Sequence, residues 1–177
     1  MNYLQIDKTS ISNGPGVRVV LWVSGCTCRC KGCQNPESWD FNSGKLFDDN
    51  VKNELFDALK KPYIQGITFS GGHPLENKNV EELYLLIKEI KEKFPTKDIW
   101  LYTGYIWEHI FPQVCLDMFD VNNLYRQEAV KMCDVIVDGL YIEEQRDITL
   151  KFRGSNNQRL IDVKETIRQN KIITIQN

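Results

Sequence analysis

No stretch of the 177 residues approaches the roughly 18 consecutive apolar positions that a membrane-crossing helix requires. The first ten residues, MNYLQIDKTS, lack the basic start and apolar run of a signal peptide. The chain is therefore expected to work in the cytoplasm without membrane contact. Basic residues are not in excess: 22 Lys and Arg against 24 Asp and Glu leave a net charge of −2, which argues against a nucleic-acid partner. Low-complexity tracts, long linkers and internal repeats are absent, and the length suits one domain, 1–177, with its own core.

What is abundant is cysteine, and it is concentrated. Cys26, Cys28, Cys30 and Cys33 fall within eight positions of SGCTCRCKGCQNPESW (24–39). A reducing compartment disfavours a disulfide framework, so metal ligation or redox chemistry is expected. Three assignments compete. A tetrahedral zinc site wants two cysteine pairs about a dozen residues apart. Cys30 and Cys33 make one such pair, but Cys26 and Cys28 are too tight for the other. Cys115, Cys133 or one of the two histidines would have to complete it. A Cys-x2-Cys redox pair is the second, but such pairs normally open a helix in a thioredoxin-like unit. The third is an iron–sulfur cluster, for which Cys26-x3-Cys30-x2-Cys33 places three thiolates on one short loop. Three ligands would leave one iron open to a substrate or cofactor, as an open zinc position is in catalysis.

Around this loop the apolar pattern alternates between strands and helices. VRVVLWVS (17–24) is almost wholly apolar and reads as a strand buried on both faces, with the cysteines at its carboxyl end. Residues 48–61 carry Val51, Leu55, Phe56 and Leu59 at helical spacing. QGITFSGG (65–72) is a strand running into two glycines. Residues 79–94 place Val80, Leu83, Leu86, Ile87 and Ile90 on one helix face, with Pro95 as a stop. DIWLYTG (98–104), CDVIVDG (133–139) and KIITIQ (171–176) read as further strands, and a helix is expected over much of 105–119. This order predicts a parallel sheet flanked by helices, and such folds gather their sites at the carboxyl ends of strands. Those ends carry the cysteines, Ser-Gly-Gly, Thr-Gly and Asp-Gly.

Cys-x3-Cys-x2-Cys after a first strand resembles the signature of the radical S-adenosylmethionine superfamily. NGPGVR (13–18), SGGHPLENKNV (70–80), DIWLYTGY (98–105), VDGLY (137–141) and FRGSNNQRLIDV (152–163) follow in order. Together they resemble the glycyl-radical activases of anaerobic ribonucleoside-triphosphate reductases. The resemblance implies an α/β fold with a truncated (β/α) partial barrel and a mostly parallel sheet. It implies a 4Fe-4S cluster on Cys26, Cys30 and Cys33, with Cys28 as a bystander thiol. The open iron would chelate S-adenosylmethionine, and one electron would release a 5′-deoxyadenosyl radical that takes hydrogen from a glycine of the reductase large subunit. The electron would come from a reducing donor such as flavodoxin.

The same resemblance assigns cofactor contacts to Gly32, Cys33, Gln34, Ser70, Gly71, Gly72, His73 and Asp138. Three positions depart from the family pattern: Gln34 replaces an aromatic residue, Leu140 a lysine, and His73 an Asp or Glu. Neutral imidazole can accept a hydrogen bond but brings no negative charge. Asp138 would bind the cofactor or cap a turn after its strand. Arg18 is expected to be structural, FRGSNNQR a hydrogen-bonding loop, Trp39 a shield near the cluster, and Cys115 and Cys133 buried small hydrophobes. Rival readings are a small radical S-adenosylmethionine synthase acting on a small molecule and a non-catalytic iron–sulfur adaptor.

Overall fold

The computed structural model describes residues 1–113 and 120–176. In chain order its elements are β1 (Asn2–Ser10), β2 (Val17–Val23), β3 (Lys45–Leu46), α1 (Asp49–Leu59), β4 (Ile64–Gly71), α2 (Val80–Lys93), β5 (Asp98–Tyr102), α3 (Trp107–Ile110), α4 (Val121–Met132), β6 (Val135–Asp138), β7 (Arg159–Asp162) and α5 (Val163–Gln169). Among the described residues the strands form one seven-stranded sheet in the order β3-β1-β2-β4-β5-β6-β7. The central strands β2, β4, β5 and β6 are parallel, and β1, β3 and β7 join antiparallel at the two edges. The expected parallel arrangement therefore holds in the centre, while the sheet as a whole is mixed.

Period-two alternation along the strands separates two faces. Val19 and Leu21 of β2 align with Ile67 and Phe69 of β4, and these with Ile99 and Leu101 of β5. All six are fully buried in the main core, where the helices contribute Leu55, Leu59, Leu83, Ile87 and Ile90. The intervening positions bring Val20, Thr68 and Trp100 into line, and Trp22 beside Ser70. This second face holds a smaller cluster of Trp100, Val135, Val137 and Leu160.

Helix α1 starts at Asp48, whose side chain accepts the Val51 N–H at 3.0 Å. Helix α2 buries Val80, Leu83, Leu86, Ile87 and Ile90, the stripe read from its spacing. The segment 105–119 contains only the short α3 among its described residues, and the rest of that expectation, with Cys115, lies outside them. Residues 171–176 form no named strand. They make one isolated bridge, Ile161 to Thr174, flanked by backbone bonds from Asp162 N–H to Ile173 C=O (2.9 Å) and from Ile175 N–H to Leu160 C=O (2.8 Å). Strands β1 and β7 have no strong alternation; they pair with β2 and β6 and bury Tyr3, Leu160 and Ile161. No helix among the described residues is long and apolar enough to cross a membrane.

Candidate functional site

The carboxyl ends of β2 and β4 are stitched together by backbone bonds. Gly72 N–H donates to Val23 C=O and His73 N–H to Gly25 C=O, each at 2.8 Å. Gly71 takes φ 104°, and a Cβ there would stand 2.6 Å from Val23 O. A Cβ on Gly72 would stand 2.6 Å from Gly25 O. The double glycine thus serves the close approach of two backbones, and the amides of Gly72 and His73 are used within the protein. Asn79 adds a side-chain tie, donating to Ser24 C=O at 2.8 Å and His73 C=O at 3.3 Å.

The cysteine loop is pinned at its base by Gly25 N–H to Ser38 C=O (2.7 Å) and Cys26 N–H to Trp39 C=O (3.1 Å). Between these ties Cys26, Cys28, Cys30 and Cys33 are half-buried free thiols. A hydrogen bond from Cys28, opposed by burial, holds the Cys26 thiol down at about 6. Cys28 is correspondingly pushed up, because its proton is shared with Cys26 in a half-buried place. Burial raises Cys30, against a backbone hydrogen bond at Tyr141. The Asn35 N–H lies 3.4 Å from Cys33 Sγ, the contact that stabilises negative charge on a ligating sulfur.

His73 is 2 % exposed and fully committed to the protein. Gly104 N–H donates to Nε2 at 3.3 Å, so that nitrogen is an acceptor and the ring proton sits on Nδ1. Thr103 Oγ1 also lies 2.8 Å from Nε2. Nδ1 faces Glu76 Oε1 at 3.3 Å. The same carboxylate oxygen accepts the Thr27 N–H (2.7 Å) and hydroxyl (2.6 Å). Burial would raise the Glu76 carboxyl, but the bonds from His73 and Thr27 outweigh it and hold it at about 2. The negative charge missing from position 73 is therefore present three residues later.

A cavity of about 480 Å³ lies on the second face of the sheet, within the range of small-molecule sites. All four clustered thiols line it, with Gln34, Ser70, Gly71, Gly72 and His73. Trp22, also in its wall, has its indole N–H buried without a partner among the described residues, a donor left for a bound group. Gly32 and Asp138 do not line it. Gly32 is exposed and packs against Glu143. Asp138 is fully buried, accepting Trp107 N–H at 2.8 Å and two bonds from Arg159, which also grips Glu108. It caps the turn into α3 and anchors β7. Three soft thiols on one loop, an amide at sulfur and an adjoining cavity with a spare donor fit a thiolate-held iron–sulfur cluster with a small cofactor beside it.

Sequence reading missed Glu76 and noted Thr103 and Gly104 only as the Thr-Gly end of a strand, without their contacts to His73. Glu76 was legible as the acid three residues after His73, but its inward direction depends on the turn geometry. From FRGSNNQR, Phe152, Arg153, Gly154 and Gln158 reach the cavity wall, and Arg153 donates to Gln158 C=O at 2.7 Å. Arg18 is fully buried and donates to Thr68 Oγ1 (2.9 Å), Pro15 C=O (3.1 Å), Ile67 C=O (3.0 Å) and Asp98, fastening the Gly-Pro-Gly turn to the sheet. Cys133 is fully buried, as expected.

Residues 12–161 match the family model described as a 4Fe-4S single cluster domain. The chain is also similar to proteins named anaerobic ribonucleoside-triphosphate reductase-activating protein. The one from Enterobacteria phage T4 is 44% identical over 160 residues, covering 90% of this chain and 93% of that protein. The one from Haemophilus influenzae is 42% identical, with 89% and 96% covered. That of Escherichia coli K12 is 39% identical, with the same coverage of 89% and 96%. Matched along nearly its whole length, and with the cluster-bearing loop inside the matched region, the chain belongs to the family of anaerobic ribonucleoside-triphosphate reductase-activating proteins.

Proposed function

We propose that the protein is a cytoplasmic activase of an anaerobic ribonucleoside-triphosphate reductase. In this reading it generates a glycyl radical on the large subunit of that enzyme with a 4Fe-4S cluster and S-adenosylmethionine. When bound, these two cofactors supply one-electron cleavage of the sulfonium C–S bond and a 5′-deoxyadenosyl radical that takes the glycine hydrogen. The observation that carries the proposal is the meeting of the three-cysteine loop with Ser70–Gly72 at one cavity, in a chain of this family.

Cys26, Cys30 and Cys33 would hold the cluster, and an electron donor such as flavodoxin would reduce it. Asn35 N–H supports charge at Cys33, and the Tyr141 backbone supports it at Cys30. Gln34, Ser70, Gly71 and Gly72 line the cavity together with the thiols and would face the second cofactor, with the Trp22 N–H as a further donor. His73, with both ring nitrogens engaged, positions the Ser-Gly-Gly loop and keeps the Glu76 charge close to it. Asp138 positions the Asp-Gly turn through Arg159, and Gly32 shapes the cysteine loop. The parallel run β2-β4-β5-β6, with the site at its carboxyl ends, supports a truncated (β/α) partial barrel of the radical S-adenosylmethionine type, carried by one domain over 1–177.

The test is anaerobic co-incubation with the cognate reductase, S-adenosylmethionine and a reductant, followed by electron paramagnetic resonance. A glycyl-radical doublet on the reductase is expected, with 5′-deoxyadenosine formed alongside. A reconstituted cluster that yields neither would overturn the proposal.

A further inference from the structure

The thiol left over by the cluster assignment has a well-defined place. A Cβ added at Gly104 would lie 2.8 Å from Cys28 Sγ and 3.0 Å from Leu140 Cδ2, so the thiol is seated against the end of β5. Its sulfur is 3.9 Å from His73 Nδ1. One donor atom each from Cys26, Cys28 and Glu76 lies within 4.8 Å of the others. Glu76 is 5 % exposed, and Thr27 and His73 occupy only its Oε1, which leaves Oε2 unused by these bonds. Cys30 and Cys33 are outside this group.

Two thiolates and a carboxylate are a zinc-type donor set. Zinc–sulfur bonds of about 2.3 Å and zinc–oxygen bonds of about 2.0–2.2 Å require donor atoms roughly 3.5–4 Å apart in a tetrahedron. The donor atoms of the three side chains, all within 4.8 Å of one another, lie close to that spacing. His73 Nδ1–H, 3.3 Å from Glu76 Oε1, and the Thr27 hydroxyl orient the carboxylate as outer partners of a metal ligand would. A Cys-x-Cys spacing, too tight for a zinc knuckle by itself, is completed here by an acid 48 positions beyond Cys28, brought in by β4.

We propose that Cys26, Cys28 and Glu76, with water at the fourth position, form a mononuclear site for a zinc-class divalent cation in the cluster-free protein. The site and the cluster exclude each other, since both require Cys26; this exclusion rests on the ligand assignment above, whereas the metal binding does not. A cation held here withholds the third thiolate from Cys30 and Cys33 and so blocks cluster assembly until it is removed.

Cobalt(II) is the probe. Anaerobic, reduced, cluster-free protein is expected to bind one equivalent, with thiolate-to-cobalt charge transfer and tetrahedral d–d absorption that one equivalent of zinc bleaches. Cys28→Ser and Glu76→Gln should each weaken binding about tenfold or more, whereas Cys30→Ala and Cys33→Ala should leave it unchanged. Cobalt binding of undiminished affinity in Cys28→Ser, or its loss in Cys30→Ala, overturns the site. Reconstitution of Cys28→Ser with iron and sulfide shows that the variant is folded, and Glu76→Gln gives the same reading without touching a thiol. One equivalent of zinc should slow reconstitution of the native sequence but not of Cys28→Ser; equal slowing in both overturns the block. If these results hold while no glycyl radical forms, only the activase proposal fails; the reverse pattern defeats only the zinc site.

Discussion

Toward α1, α2 and α4 the strands β2, β4 and β5 present Val19, Leu21, Ile67, Phe69, Ile99 and Leu101, all fully buried. On the opposite face the same strands present Arg18, Trp22, Thr68, Ser70, Trp100 and Tyr102. The first face is closed by hydrocarbon and needs no partners beyond close packing. The second is closed by loops, and each buried polar group must find an acceptor or donor. Arg18 finds four, and Tyr102 Oη donates to Phe152 C=O at 2.7 Å. Where the loops part, around the cysteines, the cavity opens. One sheet thus separates stability from chemistry by the parity of its residues.

The sharpest test of this division uses the thiols. Cys26→Ala, Cys30→Ala or Cys33→Ala is expected to abolish cluster binding, and Cys28→Ala is expected to retain it, by iron and sulfide analysis. Thermal unfolding of the cluster-free variants should be almost unchanged, since none of these side chains belongs to the main core. The helix-side counterpart is Phe69→Ala, which should cost about 3–5 kcal/mol in chemical denaturation through lost burial and a residual cavity. An intact cluster in any of the three ligand variants would break the comparison from one side; a neutral Phe69→Ala would break it from the other.

Electrostatics gives a smaller effect on the helix side. Asp134 joins α2 and α5 to the sheet through Lys91 (2.8 Å), Lys164 (2.6 Å) and the Ile99 N–H (2.8 Å). Burial raises its carboxyl, but the bonds from Lys164 and Lys91 prevail and hold it below the usual range. A depressed native pKa contributes stability that is present above the unfolded carboxylate value and fades as pH falls through the native one. Asp134→Asn should therefore be less stable than the native sequence at neutral pH, with the gap closing below about pH 4. A gap that stays constant down to pH 2 would show that packing, not charge, is the cause. The smallest effect is on the cavity side: Tyr102→Phe removes one hydrogen bond to Phe152 and should cost about 1 kcal/mol by denaturation.

Legibility followed the same division. The α2 stripe and the strands at β2, β4, β5 and β6 were readable because helical spacing and short, nearly continuous apolar runs encode burial directly. Edge strands β1 and β7 were not, since each buries only one or two apolar side chains, Tyr3 in β1 and Leu160 and Ile161 in β7, too few to mark a strand by pattern. The cysteine loop and Ser-Gly-Gly were readable as motifs, and the fold brings them to one cavity. Asp138 was ambiguous from sequence because a ligand contact and a turn cap call for the same side chain, and Arg159 occupies it. His73 read as a lost charge, although Glu76 carries one beside it.

By itself the sequence determined the alternation that builds the sheet and its helices, the thiolate chemistry at the end of β2 and the family to which the chain belongs. Those are local properties: side-chain period, ligand type and spacing act within a few residues. Only the tertiary structure decided which polar groups are spent on one another and which remain for a bound group. It placed Cys28 with Glu76 and His73, 45 and more positions away, because hydrogen-bond partners on separate strands are chosen by strand register and loop closure rather than by proximity along the chain.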